Sequence, residues 1–196
     1  MLNIKATTLG MAIVACVALS ACQPQAAAPT KTDVAAPMMA AAATGPATYS
    51  ATASLEGGFY GSNEKAGPLY FAGVDIGRAR LFGAWAAGDH SGGAPVAIRF
   101  LDERKGFSPE TDGPPDENLY VIVEPTTYAV SDSHVSFTGT SAATGPVTFE
   151  AQVDQSRLGQ AQQLDQGDLI VATGTLTVGG QTFRDIKMMW NNPRPN

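Results

Sequence analysis

Cysteine disappears from this chain after residue 22, and the only other one is Cys16. Residues 23–196 therefore contain no disulfide, no thiolate metal site and no cysteine nucleophile, and a domain built from them depends on its apolar core. Histidine is nearly as scarce: His90 and His134 are the whole supply. They offer no His-x-His or His-x₃-His spacing, so a zinc or copper centre would need distant carboxylates to complete it. Basic residues are also few, 12 Lys and Arg against 18 Asp and Glu, for a formal net charge of −6. That balance opposes generic nucleic-acid binding and polybasic attachment to anionic lipid. A bilayer-spanning helix wants about 20 apolar residues, and the N-terminal run Leu9–Leu19 is roughly half that.

That run has Lys5 before it and Leu19-Ser20-Ala21-Cys22 after it, the pattern of a cleaved secretory signal. Leu19-Ser20-Ala21-Cys22 resembles the lipobox of bacterial lipoproteins. The resemblance implies that the Cys22 thiol receives a diacylglyceryl group, that signal residues 1–21 are removed, and that the new amine is acylated with a palmitate-type chain. Gln23, not an acidic residue, follows Cys22, which in that family implies sorting to the outer membrane. Two or three acyl chains hold a protein at a membrane effectively for good, whereas one holds it weakly. Loss of Lys5 with the signal takes the net charge from −6 to −7, so the acyl chains are the expected membrane contact.

From Cys22 to Pro46 the composition turns to Ala, Pro and Thr with no aromatic residue. Such a segment buries too little surface to offset its ordering entropy and reads as a disordered tether with about 30 Å of coil-like reach. Met38-Met39 within it is apolar filler, since no further Met or His accompanies it as a soft copper ligand.

Residues 47–196 read as one all-β domain, an antiparallel β-barrel or sandwich, long enough to bury a core. Strand patterns cover Tyr49–Leu55, Leu69–Ile76, Ala79–Ala87, Val96–Leu101, Leu119–Val123, Thr127–Val130, His134–Thr138, Val147–Val153, Leu169–Val178 and Gln181–Trp190. In Val147–Val153 the odd positions Val147, Phe149, Ala151 and Val153 are apolar and the even ones polar, the habit of a sheet with one wet face. Asp154–Gln166 is the one helical candidate, with Leu158, Ala161 and Leu164 three apart, although Gly159 weakens it and a long loop is the alternative. Gly179-Gly180 predicts a hairpin with a two-residue primed turn, pairing residues whose numbers sum to 359. The apolar face then switches between Phe183 and Ile186, and a bulge near Arg184-Asp185 would repair the mismatch.

No segment carries a strong catalytic signature. Gly88-Asp-His-Ser-Gly-Gly93 looks like the Gly-Asp-Ser-Gly-Gly nucleophile loop of chymotrypsin-like proteases, but His90 interrupts it and no histidine precedes it to act as base. It reads as a polar turn between strands. His134 follows the turn Ser131-Asp132-Ser133 and reads as a strand-end residue facing solvent. In the acidic loop Ser108–Asn118, Glu110, Asp112, Asp116 and Glu117 are candidate calcium ligands, hard oxygens on a turn-rich segment. The loop lacks the Asp-x-Asp-x-Asp-Gly order, and Pro114-Pro115 stiffens it. Glu110 with Asp116 or Glu117 is the alternative pair for glycoside hydrolysis, but flexible-loop carboxylates lack the burial that separates their pKa values.

Glu56-Gly-Gly-Phe-Tyr-Gly-Ser-Asn-Glu-Lys-Ala-Gly-Pro68 followed by Arg80-Leu-Phe-Gly-Ala-Trp-Ala-Ala87 is similar to a segment of surface-lipoprotein β-barrels of the transferrin-binding and factor-H-binding type. The resemblance spans about thirty residues and implies a Gly-rich turn at Gly57, Gly58 and Gly61, with Phe59 and Tyr60 capping the barrel. A hairpin of Leu69–Ile76 with Ala79–Ala87 would follow. In that family the segment lies near the C-terminal end, whereas here more than a hundred residues follow it.

The reading that results is an outer-membrane-anchored, non-catalytic binding or interaction module without cofactor or nucleic-acid partner, engaging the membrane through its lipid and a protein through its surface. The alternative is a lipocalin-like carrier whose barrel holds a small apolar ligand in a cavity lined by residues such as Leu81, Trp85, Val121 and Trp190. A hydrolase is the least favoured class. An exposed aromatic patch on a loop would favour the protein partner; a cavity would favour the carrier.

Overall fold

Alternation of apolar and polar residues at period two, interrupted every eight to twelve residues by Gly, Pro, Asn and Asp, leaves little room for anything but a meander of short strands. In a computed structural model of the chain, which describes residues 46–62, 64–110, 115–164 and 168–192, that meander curls on itself. The elements are Thr48–Tyr49 (β1), Gly57–Gly61 (β2), Lys65–Ala66 (β3), Leu69–Ile76 (β4), Ala79–Ala86 (α1), Val96–Asp102 (β5), Tyr120–Val123 (β6), Pro125–Val130 (β7), His134–Ser141 (β8), Gly145–Val153 (β9), Gln155–Leu164 (α2), Ile170–Val178 (β10) and Gln181–Asn191 (β11). The signal, Cys22 and the tether up to residue 45 lie outside the described residues.

Strand order is β1-β7-β8-β9-β10-β11-β2-β4-β5-β6, with β3 hairpinned onto β4. Apart from β1, which lies parallel to β7, every pairing is antiparallel. β6 and β7 stand near opposite ends of this order, yet only Glu124 separates them in sequence. They form one long bent strand whose first half pairs with β5 and second half with β8, so the ring is completed through the backbone at Glu124 instead of by a ladder. The result is a barrel-like sheet, not a sandwich. β2 enters between β11 and β4, joining the end of the meander to its beginning.

The antiparallel order assigns each connection to a pole. Both helices, the Ser131–Ser133 turn and the β1–β2 segment lie at one pole, called here the helical pole. The β3 hairpin, the Gly179-Gly180 turn and the 103–119 loop lie at the other.

Inward side chains fill the interior. Phe71, Phe100, Phe137 and Phe149 are buried, with Phe71 set 6.2 Å from both Phe100 and Phe149, ring centroid to ring centroid. A partly open space among Phe59, Val74, Phe149 and Met188 measures about 10 Å³, roughly what one water needs.

The terminal hairpin follows the sequence pattern closely. Gly179 and Gly180 both have positive φ, 58° and 77°, the primed turn that matches strand twist. Val178 faces Gln181 and Leu176 faces Phe183 before the register slips by one, so Ile186 opposes Gly174 and Met188 opposes Ala172. Asp185 sits at the slip with φ 56°. This bulge rotates Ile186, Met188 and Trp190 into the core, and it replaces the pairing of Ile186 and Met188 with Thr173 and Val171 expected from an unbroken ladder.

Three expectations are corrected. Ala79–Ala87 is a helix, not a strand, so the hairpin partner of β4 is β5. Leu81, Gly83 and Trp85 alternate as a strand would, but the alanines supply helix propensity and the helix lowers Phe82 into the barrel mouth. There Phe82 stacks on Tyr49 at 4.0 Å and meets Tyr128 edge-on at 5.4 Å. Of Tyr49–Leu55 only Tyr49 is in a strand, the second residue of β1, before an irregular path held by Asp132, whose carboxylate accepts from Thr52 N, Ala53 N and Thr52 Oγ1. Gly57–Gly61, expected as a turn, is strand β2. Gly57 is required because a Cβ there would overlap Trp190 Nε1, and Gly73 because a Cβ would overlap Phe59 O across the β2–β4 pair.

α2 confirms the helical candidate. Asp154 Oδ1 accepts from Arg157 N at 3.1 Å as its N-cap, and Leu158 and Ala161 are buried while Leu164 is 61% exposed.

Candidate interaction surface

The outer surface of the barrel is divided in two by composition. Across β8, β9, β10 and β11 the outward cross-strand rows read His134-Gln152-Thr173-Lys187 and Thr138-Thr148-Thr177-Thr182, with Ser136-Glu150-Thr175 between them. Threonine predominates, as suits a β-branched residue on a wet face, and Thr177 and Thr182 hydrogen-bond across the hairpin at 2.9 Å.

Across β2, β4, β5 and β6 the rows are of another kind. Tyr70-Leu101-Tyr120, Gly73-Arg99-Ile122 and Gly58-Asp75-Ala97 run side by side, with Tyr60 opposite Met189 at the β2–β11 seam. Ile122 is 58% exposed, while Leu101 is buried on this same outer face.

Arg99 is the centre of the patch. Its Nε lies 2.8 Å from Asp75 Oδ2, its Nη2 donates to Tyr60 OH at 3.4 Å, and its guanidinium carbon stands 5.2 Å from the Tyr120 ring centroid and 5.8 Å from that of Tyr60. Both rings thus flank one cation, which holds them in place and partly neutralises its charge demand. Burial pushes the Asp75 carboxyl above its ordinary value, and the Arg99 charge opposes that shift without cancelling it. Toward the far pole, Glu103 accepts from Lys65 Nζ at 2.7 Å and Tyr70 OH at 2.8 Å, and Phe107 meets Tyr70 edge-on at 5.3 Å. Charges in this half of the surface are paired among themselves, which lowers the cost of covering them.

The residues singled out from sequence are scattered. Gly88-Asp-His-Ser-Gly-Gly93 is the end of α1 and the turn after it: Asp89 N donates to Ala84 O and Gly88 N to Trp85 O, with Gly88 at φ 84°, a glycine-terminated helix end. His90 stacks flat on Trp85 at 3.8 Å and 7°. His134 opens β8 as expected, half-buried opposite Gln152. Glu110, Asp116 and Glu117 are exposed and Asp112 lies outside the described residues. Among the described residues no three His, Cys, Asp or Glu side chains come together to hold a metal ion. Leu81, Trp85, Val121 and Trp190 line no common cavity: Val121 and Trp190 point into the core near opposite poles, while Leu81 and Trp85 are half-buried on α1. A groove of about 290 Å³ runs beside Tyr49–Glu56, Ile76 and Gly77 at the helical pole.

The aromatic patch was missed by sequence reasoning because its members come from four strands. The available signal was local: Tyr60, Tyr70, Arg99, Tyr120 and Ile122 all occupy the phase opposite to the core residues beside them, where a wet face calls for polar side chains.

No protein-family model, curated protein or solved structure matches this chain.

Proposed function

We propose that this chain is an outer-membrane lipoprotein, anchored by acyl chains on Cys22 through the tether 22–46, whose β domain is a non-catalytic module that binds a protein partner. The observation that carries the binding reading is the contrast between a filled interior and an apolar, tyrosine-rich exterior. A cavity of about 10 Å³ offers no room for a drug-sized ligand, whose sites run to about 300 Å³ or more, so recognition belongs to the outside of the barrel. On that outside, Tyr60, Tyr120, Arg99 and Ile122 supply the residue types that dominate protein–protein interfaces, Tyr and Arg above all. The signal pattern and Cys22 support the anchor.

Two measurements test this. Intact mass of the protein purified from membranes is expected to show an N-terminus at Cys22 carrying a diacylglyceryl group; an unmodified N-terminus elsewhere removes the anchor. A photo-cross-linking residue at position 122 is expected to give a discrete protein adduct in cells, and the same residue at position 175 none. Equal adducts at both positions, or none at 122, would count against the aromatic face as the binding surface.

A further inference from the structure

We infer that the protein partner of the aromatic face is a second copy of this chain, docked so that Arg99 of each copy meets Asp75 of the other. This rests on the binding reading above and names its partner. Arg99 is an incompletely used cation. Its Nε is buried and lies 2.8 Å from Asp75 Oδ2, but it is not aimed at that oxygen and makes no hydrogen bond. Of the guanidinium donors, the described residues engage Nη2 alone, in a bond of 3.4 Å to Tyr60 OH. Asp75 is the matching anion: its side chain is 41% exposed and accepts no hydrogen bond among the described residues. The two touch without satisfying each other, and each keeps free the groups that a fork-to-carboxylate contact uses.

The register of the sheet makes this pair self-complementary. Asp75 on β4 and Arg99 on β5 are diagonal neighbours, with Ala97 opposite Asp75 and Gly73 opposite Arg99. A two-fold axis lying in the plane of the face and passing between them carries Asp75 over Arg99 and Arg99 over Asp75. One operation thus supplies both missing partners, as an isologous interface requires. A foreign partner would have to present an acid and a base at the same separation; a second copy already does. Around the charges, Tyr60 and Tyr120 flank Arg99 and Ile122 stands exposed, the composition of an interface core. Charge also favours this face for self-association. The chain carries a net −6, so its copies repel in general. Here, however, Lys65 is paired with Glu103 and Arg99 with Asp75, which cancels that repulsion locally.

The test uses the full chain with two different C-terminal tags, co-expressed and extracted in mild detergent, with capture through one tag and quantitation of the other. Wild-type copies are expected to co-purify. Arg99→Asp and Asp75→Arg each set like charges against one another across the axis, and each is expected to capture itself about tenfold less. Arg99→Asp copies mixed with Asp75→Arg copies face opposite charges again and are expected to recover most of the capture, which a folding defect in either variant would not allow. A wild type that does not capture itself, variants that capture themselves undiminished, or a mixture of variants with unchanged circular dichroism that recovers nothing overturns the inference. Where a variant loses its circular dichroism, the photo-cross-linking residue at position 122 decides. Its adduct is expected at twice the mass of the chain; another mass overturns the second copy and leaves the aromatic face as a binding surface, and no adduct overturns both.

Discussion

Asp102 shows how much a single side chain can organise at the end of a strand. It is 3% exposed, accepts from Arg104 N at 2.9 Å, and is gripped by the Arg104 guanidinium at 2.8 Å through both oxygens. Hydrogen bonds from Arg104, ahead of the burial that opposes them, hold its carboxyl below the usual value of 3.8. A carboxylate whose folded pKa is depressed contributes stability that is present above its unfolded pKa and lost as pH falls through the folded one. Glu103, held by Lys65 and Tyr70, and Asp132, held by Ala53 N and Thr52, shift the same way. Asp75 has the opposite sign, since its raised pKa favours the protonated form in the folded state. Denaturant titrations are expected to show stability falling as pH drops below 3.8, with a shallower fall in Asp102→Asn. An identical slope in the variant would exclude Asp102 as a linked group. In the sequence, Leu101-Asp102-Glu103-Arg104-Lys105 reads only as a charged strand end; burial of one of the four charges depends on the Gly106 turn, at φ 96°, bringing the chain back.

Among the elements, the β10–β11 hairpin was the most legible and α1 the least, for opposite reasons. The hairpin is specified locally: two glycines impose the turn, and a phase change in the apolar residues demands the bulge. Asp185 holds that bulge in the left-handed region, where short polar residues are tolerated and β-branched ones are not. Thermal unfolding is expected to place Asp185→Gly at or above the wild type and Asp185→Val below it by about 1 kcal/mol or more. Equal loss in both variants would mean that the Asp side chain, not the backbone, matters at this position. α1 had no such local arbiter, since Ala79–Ala87 satisfies both periods. The decision came from Phe82, which as part of a strand would have no mouth to close.

On the scale of the whole molecule, the filled barrel makes the interior a source of stability. Phe149 adjoins the small central cavity and packs against Phe71. Phe149→Ala is expected to cost about 3–5 kcal/mol in chemical denaturation, transfer and cavity contributions together. Since whole domains retain only about 5–15 kcal/mol, this variant is expected to approach the unfolding threshold at 37 °C. A loss below about 1 kcal/mol would indicate that the core collapses around the vacancy and is less rigid than its packing implies. The same packing explains why the candidate surface was not visible beforehand. Its rows join residues about twenty to forty apart in the chain, and only the register of β2, β4, β5 and β6 aligns them.

The amino-acid pattern by itself determined the β class, the antiparallel habit, the terminal hairpin with its bulge, and the second helix, because period, turn residues and capping act over a few neighbouring positions. Tertiary structure alone decided that the sheet curls into a barrel joined at Glu124, that Gly57–Gly61 is a strand and Ala79–Ala86 a helix, and that the apolar outer residues converge around Arg99. Each of those outcomes rests on contacts between residues distant in sequence, such as Gly57 with Trp190, Tyr49 with Phe82, and Arg99 with Tyr60 and Tyr120. Long-range packing chooses among local conformations of nearly equal free energy, and no local period records that choice.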